Sequence, residues 1–351
     1  MTTVAETSGQ PTGVAAAGVA SAAAPPMLWA EGLTKSYMRA RALDGLSLHV
    51  PRGSIYGFVG PNGAGKTTTM RILATLLAPD GGEAYVDGRP LTSNPGEVRS
   101  KIGYMPDFFG VYDNLTVSEY LDFYAAAYGV SSAEARRTIP ELLELVDLAH
   151  KRGDFVEGLS RGMKQRLGLA RTLVHNPEVL LLDEPASGMD PRARYEMREI
   201  VKELQRLGKT VLVSSHILLE LAEMCSHIGI IQGGRLLREG PVNAILQSLR
   251  GARAVRVGVM GDGVSSGTRE AAAAVLARQP GVGEVQVVGD DLEATFTGDD
   301  RGTAALLRAL VEADIPVLHF APAANSLEEI FMQLTDADGT EGPAGTKGVG
   351  A

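Results

Sequence analysis

Apolar and polar residues alternate at Leu46, Leu48 and Val50, the period of a half-buried strand, and the unbroken run from Ile55 to Val59 predicts a more deeply buried one. A glycine-rich turn follows. From Lys66 to Leu77 the pattern is helical, and Pro79-Asp80-Gly81-Gly82 stops it. Thr116 and Glu119 form a capping box ahead of Val117, Tyr120, Leu121, Tyr124 and Tyr128, which recur at helical spacing, so 113 to about 175 is predicted to be helix-rich. Strand returns at Val179 to Leu182. Asp190-Pro191 then pairs an N-cap with proline at the first helical position, and Gly208 ends that helix before the strand Thr210 to Val213. Strand, helix, helical insertion, strand, helix, strand is the order of a largely parallel α/β sheet.

After Gly251 the rhythm changes. Val255 to Met260, Arg269 to Arg278, Glu284 to Val288, Leu292 to Phe296, Thr303 to Ala313 and Val317 to Phe320 spell β-α-β-β-α-β, the order of a small α+β ferredoxin-like sandwich, and a helix from Ser326 to Leu334 closes it. The chain therefore divides into a disordered arm (1–26), a larger α/β unit (27–250), the small accessory unit (251–335) and a Gly-rich disordered tail (336–351).

Composition narrows the function. With 33 Lys and Arg against 42 Asp and Glu, the net charge of −9 lacks the footprint of a dedicated nucleic-acid binder. The lone Cys225 makes neither an internal disulfide nor a zinc site, which points to a reducing cytosol. Gly9, Pro11, Thr12 and Gly13 interrupt any apolar centre of a secretory signal, and no run approaches the ~18 apolar residues of a membrane span.

Between the second strand and the first helix lies Gly60-Pro61-Asn62-Gly63-Ala64-Gly65-Lys66-Thr67, which fits G-x-x-x-x-G-K-[ST], with Thr68 following. Glycines let backbone N–H groups turn inward around phosphate oxygens, and the helix that starts near Lys66 aims its positive end at the anion. Lys66 is expected to reach the β- and γ-phosphates of ATP, and the Thr67 hydroxyl to ligate Mg²⁺. Val179 to Leu182 then run into Asp183-Glu184, placing two carboxylates at the sheet's carboxyl edge. Asp183 is the expected acid on the Mg²⁺ side, and Glu184 the base for an attacking water.

Leu159-Ser160-Arg161-Gly162-Met163-Lys164-Gln165-Arg166 resembles the signature motif of ABC-family ATPases, usually Leu-Ser-Gly-Gly-Gln. Other elements resemble that family in its own order: Tyr37 as the aromatic on adenine, Ser187-Gly188-Met189-Asp190 as the D-loop and His216 as the switch histidine. The Leu-Ser-Arg-Gly-Met variant and the ending Ser326-Leu327-Glu328-Glu329-Ile330-Phe331 are most similar to ATPase subunits of type 2 ABC exporters, of the drug-resistance and cell-surface export kinds. The resemblance implies a P-loop core with a helical signature subdomain and a head-to-tail homodimer or heterodimer around two ATP. In it Ser160, Gly162 and Asp190 serve the opposite subunit's nucleotide. It also implies a separate transmembrane permease, with this chain on the cytoplasmic face of the membrane. Soluble relatives that act on ribosomes usually carry two such units and those that act on DNA insert long coiled coils, whereas here one unit is read and only 91 residues lie between Thr67 and Leu159. An importer ATPase with a sensing tail, and a nucleotide-binding module without turnover, are the remaining alternatives.

Two positions depart from the family pattern. Gly103-Tyr104-Met105-Pro106-Asp107 puts Asp107 where the family has a glutamine, as a candidate Mg²⁺ ligand and catalytic-site residue, although an ionised carboxylate donates no hydrogen bond. Arg161-Gly162-Met163 replaces Gly-Gly-Gln but keeps Ser160 and Gly162. His49, His150, His175, His227 and His319 match no motif.

Overall fold

A computed structural model describes residues 25–38, 40–107, 110, 114–249, 253–260, 267–289 and 291–323. The expected helix from Ser326 to Leu334, the tail 336–351 and all but the last two residues of the arm 1–26 lie outside the described residues. The chain opens with β1 (Leu28–Tyr37), β2 (Ala40–Val50), β3 (Ile55–Val59), α1 (Lys66–Leu73), β4 (Gly81–Val86), β5 (Arg89–Pro90), α2 (Pro95–Lys101) and β6 (Ile102–Met105). The helical part follows as α3 (Val117–Ala127), α4 (Ser132–Leu145) and α5 (Arg161–Leu173). Then come β7 (Val179–Leu182), α6 (Pro191–Arg206), β8 (Thr210–Ser215), α7 (Leu218–Ala222), β9 (His227–Gln232), β10 (Arg235–Pro241) and α8 (Val242–Leu249).

Two sheets form the larger unit. The central one has the order β10-β9-β3-β8-β7-β6, parallel except for β10 at one edge. Its middle strands are buried on both faces. Along β3, Ile55 and Val59 face one apolar cluster while Tyr56 and Phe58 face the other; Leu180 and Leu182 against Val179 and Leu181 repeat the division in β7. This double burial is why those strands read as continuous apolar runs. Helices α5 and α6 and the helical part cover one face, through residues such as Leu169, Leu173, Met197, Val201 and Tyr120. On the other face, Met70, Ile72 and Leu73 of α1 pack between the central sheet and a second, antiparallel sheet, β2-β1-β4-β5. The hydrophobic pattern predicts only β2 of that second sheet, at Leu46 to Val50.

Helix α1 is shorter than the expected Lys66 to Leu77. Thr75 takes the left-handed conformation (φ 60°), its N–H donates to the Ile72 carbonyl and that of Leu76 to the Arg71 carbonyl, a Schellman ending made on a threonine. The capping box is present, with Thr116 Oγ1 accepting from the Glu119 N–H and the Glu119 carboxylate accepting from the Thr116 N–H. Asp190 caps α6 by accepting from Arg192 and Ala193, and Gly208 (φ 86°) follows its end.

The accessory unit holds β11 (Arg253–Val259), α9 (Gly267–Ala277), β12 (Val282–Val288), β13 (Asp291–Phe296), α10 (Asp300–Glu312) and β14 (Val317–Ala323). Its strands pair antiparallel in the order β12-β13-β11-β14, the ferredoxin-like arrangement, over a core of Val255, Val257, Leu292, Ala294, Phe296, Leu276 and Leu310.

Candidate nucleotide site

Because β3, β6, β7 and β8 run parallel, their carboxyl ends release four loops at one edge of the sheet, where ligands of open α/β sheets bind. The register brings specific residues together. Val59 pairs with Ser215, Leu182 with Val213 and Met105 with Leu182, so the residues that follow those pairs emerge side by side. They line a cavity of about 450 Å³: Asn62, Gly63, Gly65, Lys66, Thr67 and Thr68 after β3, Asp107 after β6, Glu184 and Ser187 after β7, and His216 after β8, with Ala42 from β2.

Close packing dictates two glycines of the first loop. A Cβ on Gly60 would stand 2.3 Å from the Ile231 carbonyl oxygen, and one on Gly65 2.8 Å from that of Ala42. Gly65 also caps α1 in the left-handed region (φ 112°), with no side chain over the helix end, so the first-turn N–H groups stay open to an anion. Lys66 is 5% exposed, and its Nζ donates to the carbonyls of Gly60 (2.7 Å) and Pro61 (3.2 Å) and lies 3.3 Å from Glu184 Oε1. Gly60, Pro61 and Ala64 shape the loop without lining the cavity.

Asp183 is 1% exposed. Its Oδ1 accepts from the Ser214 hydroxyl at 2.8 Å, while Oδ2 is buried with no hydrogen-bond partner among the described residues. A buried carboxylate oxygen with no donor is suited to a cation; Asp183 itself lies outside the cavity lining, one residue before Glu184, while Thr67 lines the cavity. Among the described residues no three His, Cys, Asp or Glu side chains assemble a metal cage. Mg²⁺ takes one or two carboxylates and completes its shell with phosphates and water, a requirement that the Asp183 oxygen fits.

Glu184 holds a left-handed backbone (φ 49°), uncommon for a non-glycine residue. Its N–H donates to Ser214 Oγ at 2.9 Å, and its Oε2 lies 2.9 Å from His216 Nδ1. Ser214 therefore holds both acids. It went unnoticed in the sequence, although Ser214-Ser215 at the end of an apolar strand just before His216 was the available signal. Asp107, at the cavity rim, has its carboxyl held above the usual range, first by desolvation and then by the negative charges of Glu184 and Asp183, with Arg161 and His216 opposing. Gln165 Nε2 on α5 donates to the Asp107 carbonyl at 3.5 Å.

The remaining sequence-predicted residues stand outside the cavity lining. Tyr37 ends β1, 43% exposed, and pairs with Ala40 across the hairpin. Ser160 caps α5, its hydroxyl accepting from the Met163 N–H at 3.3 Å. Gly162 sits where α5 approaches the D-loop segment: a Cβ there would lie 3.4 Å from the Met189 and Ala193 side chains. Asp190 is engaged as the α6 cap, and those two N–H bonds lower its pKa.

The sequence matches the ABC transporter family over residues 43–187 and the DrrA1-3-like ATP-binding protein C-terminal domain over 240–335. It is 37% identical over 308 residues to the daunorubicin/doxorubicin resistance ATP-binding protein DrrA of Streptomyces peucetius, covering 87% of this chain and 91% of the relative. It is 34% identical to Nod factor export ATP-binding protein I of Ralstonia nicotianae, over 88% of this chain and 94% of that one. Among solved structures, an ATP-binding subunit of an ABC transporter superposes with TM-score 0.58 at 31% identity, over 63% of this chain and 92% of that chain. A dimeric ATP-binding cassette bound to ADP and Pi gives 0.57 at 27%, over 62% and 99%. The glycine-rich loop, the acids beside it and these similarities agree: the chain belongs to the ABC transporter ATPases, as an ATP-binding subunit of the type 2 exporter branch.

Proposed function

We propose that this protein is the ATP-hydrolysing motor of an exporter, dimerising head-to-tail around two ATP and driving a separate transmembrane permease from the inner face of the cell membrane. The observation that carries this reading is the convergence in one cleft of the buried Lys66 ammonium and the Glu184–His216 pair, with the unpartnered Asp183 oxygen buried on the residue before Glu184. On ATP entry, Lys66 exchanges its loop carbonyls and Glu184 for the β- and γ-phosphates. Glu184 Oε1 is thereby released to take a proton from the attacking water, while His216 holds Oε2. Thr67 and Asp183, with Asp107 as a further ligand, would hold Mg²⁺, which offsets phosphate charge. Tyr37 stacks on adenine. Ser160, Gly162 and Asp190 complete the partner subunit's nucleotide site, in keeping with their position outside this chain's own cavity.

The same reading assigns the ATPase to 27–250 and the accessory unit to 251–335. Among the described residues no helix is long and apolar enough to cross a membrane. The exposed aromatics Tyr128 (47%) and Phe155 (59%) in the helical part offer apolar surface to a permease. The names of the relatives, resistance to an anthracycline and export of Nod factor, favour export as the direction.

Glu184→Gln tests the motor: the amide keeps the shape and removes the base. The variant should bind ATP, stop hydrolysing it and accumulate as a dimer on size exclusion in ATP. A Gln variant that turned over at the parent rate, or stayed monomeric with ATP bound, would contradict the reading. Stimulation of the parent ATPase by the membrane protein encoded in the neighbouring reading frame tests the permease assignment.

A further inference from the structure

We propose that Arg194 and Glu220 are positioning residues for hydrolysis: they tie the loop after β7 to the loop after β8 and so hold His216 against Glu184. The inference rests on the ATPase reading above. Arg194, in the first turn of α6, reaches back with Nε to donate to the Met189 carbonyl at 3.0 Å, and with Nη1 to Glu220 Oε1 at 2.9 Å. Glu220 Oε2 accepts from the Ser215 hydroxyl at 3.2 Å, and Ser215 Oγ in turn accepts from the Ile217 N–H at 3.0 Å. His216 lies between those two residues. With the His216–Glu184 contact at 2.9 Å and the Ser187 N–H donated to the Glu184 carbonyl, the interactions close a ring from Glu184 through both loops and back to its own carboxylate.

Packing alone does not hold this arrangement. The His216 side chain is 46% exposed, so burial leaves its rotamer free. Behind it lies a cavity of about 90 Å³ bordered by Glu184, Ser187, Arg194, Ser215 and Glu220, a space into which either catalytic side chain can relax. The helix that carries Glu220, α7, spans five residues and has no side-chain cap; Leu218 and Leu221 anchor it in the core, and its polar link to the site runs through Glu220 and Ser215. A hydrogen-bonded ring of this kind fixes a geometry that van der Waals contact leaves loose, and errors of about 1 Å in the placement of a reacting group cost up to ~10²-fold in rate.

The test uses the full chain with Arg194→Ala, Glu220→Ala and the double variant, measuring kcat and KM for ATP hydrolysis and the Kd of a fluorescent ATP analogue. Each single variant should lose about tenfold or more in kcat with Kd within about twofold of the parent, because neither residue lines the nucleotide cavity. The double variant should be no worse than the poorer single one, since both break the same ring. Glu220→Gln, which keeps an acceptor for Ser215 or Arg194, should recover part of the loss, a rescue that a merely structural ion pair would not show in kcat. Should an alanine variant fail to fold, Glu220→Gln and Arg194→Lys carry the comparison, with a threefold or greater loss of kcat at unchanged Kd expected (roughly a third of the full effect). Single variants with parental kcat, or losses that multiply in the double variant, would overturn the inference. A parent chain that binds ATP without hydrolysing it would instead overturn the ATPase reading beneath it.

Discussion

Ser214→Ala isolates what one hydroxyl contributes to the site. Ser214 is fully buried, accepts from the Glu184 N–H at 2.9 Å and donates to Asp183 Oδ1 at 2.8 Å. The bond to the carboxylate is of the charged kind, about 2 kcal/mol, and the bond from the amide contributes about 1 kcal/mol, so the variant should lose about 3 kcal/mol. For a folding unit of 150–250 residues, each kcal/mol lowers Tm by about 2–4 °C, which gives a fall of about 6–12 °C by calorimetry. The effect on rate is separate. Glu184 keeps its left-handed backbone against a strain of ~1–3 kcal/mol, and its amide's anchor is Ser214 Oγ. Without that anchor the peptide relaxes, the carboxylate moves off its line to the γ-phosphate, and kcat should fall by about 10²-fold while ATP affinity, set by the phosphate loop, stays near parental. Parallel measurements of Tm, kcat and Kd for an ATP analogue are decisive. A Ser214→Ala variant with parental Tm and parental kcat would refute both parts, and loss of Tm with intact kcat would show that Glu184 is held by something else.

Lys66→Ala should raise the Kd for ATP by about 10²-fold or more, since two charge-assisted contacts of about 1.5–3 kcal/mol each disappear; equilibrium binding with a fluorescent analogue checks this, and parental affinity would contradict the phosphate role. Gly60→Ala forces a Cβ to 2.3 Å from the Ile231 carbonyl, a backbone atom that cannot move aside, so stability should fall by about 1–3 kcal/mol in urea unfolding. Asp107→Asn should flatten the Mg²⁺ dependence of ATPase rate and lower turnover if the carboxylate ligates the cation, whereas an unchanged Mg²⁺ titration of the isolated variant rejects that role. His175, stacked on Tyr128 at 3.9 Å and bonded to the Ile102 carbonyl at 3.1 Å, has its pKa lowered first by desolvation. The unfolded chain then takes up the proton at a higher pH than the folded one. Stability is complete above the ordinary histidine pKa of ~6.5 and declines as pH falls through it, and His175→Phe should remove that part of the decline in Tm measured from pH 7.5 to 5.5.

Local chemistry was legible from the sequence. The phosphate loop, the capping box at Thr116, the Asp190-Pro191 helix start and the β-α-β-β-α-β tail each depend on residues close together in the chain, where spacing alone dictates turn, cap or period. Asp183-Glu184 after an apolar strand was legible for the same reason. Only the tertiary structure decided which strands are neighbours. The order β9-β3-β8-β7-β6 brings together strands separated by up to about half the chain, and nothing in a buried run such as Val179–Leu182 tells it what to pair with, since both its faces are apolar. That order and its register set Ser214 beside Asp183 and His216 beside Glu184, and close the ring through Arg194 and Glu220. The end of α1 at Leu73 and the strands β1, β4 and β5 of the second sheet escaped the hydrophobic pattern for a related reason. Residues after Leu73 remain apolar at helical spacing, but the turn at Thr75 leaves Leu76 62% exposed and packs Leu77 against the core, a choice made by packing across the chain.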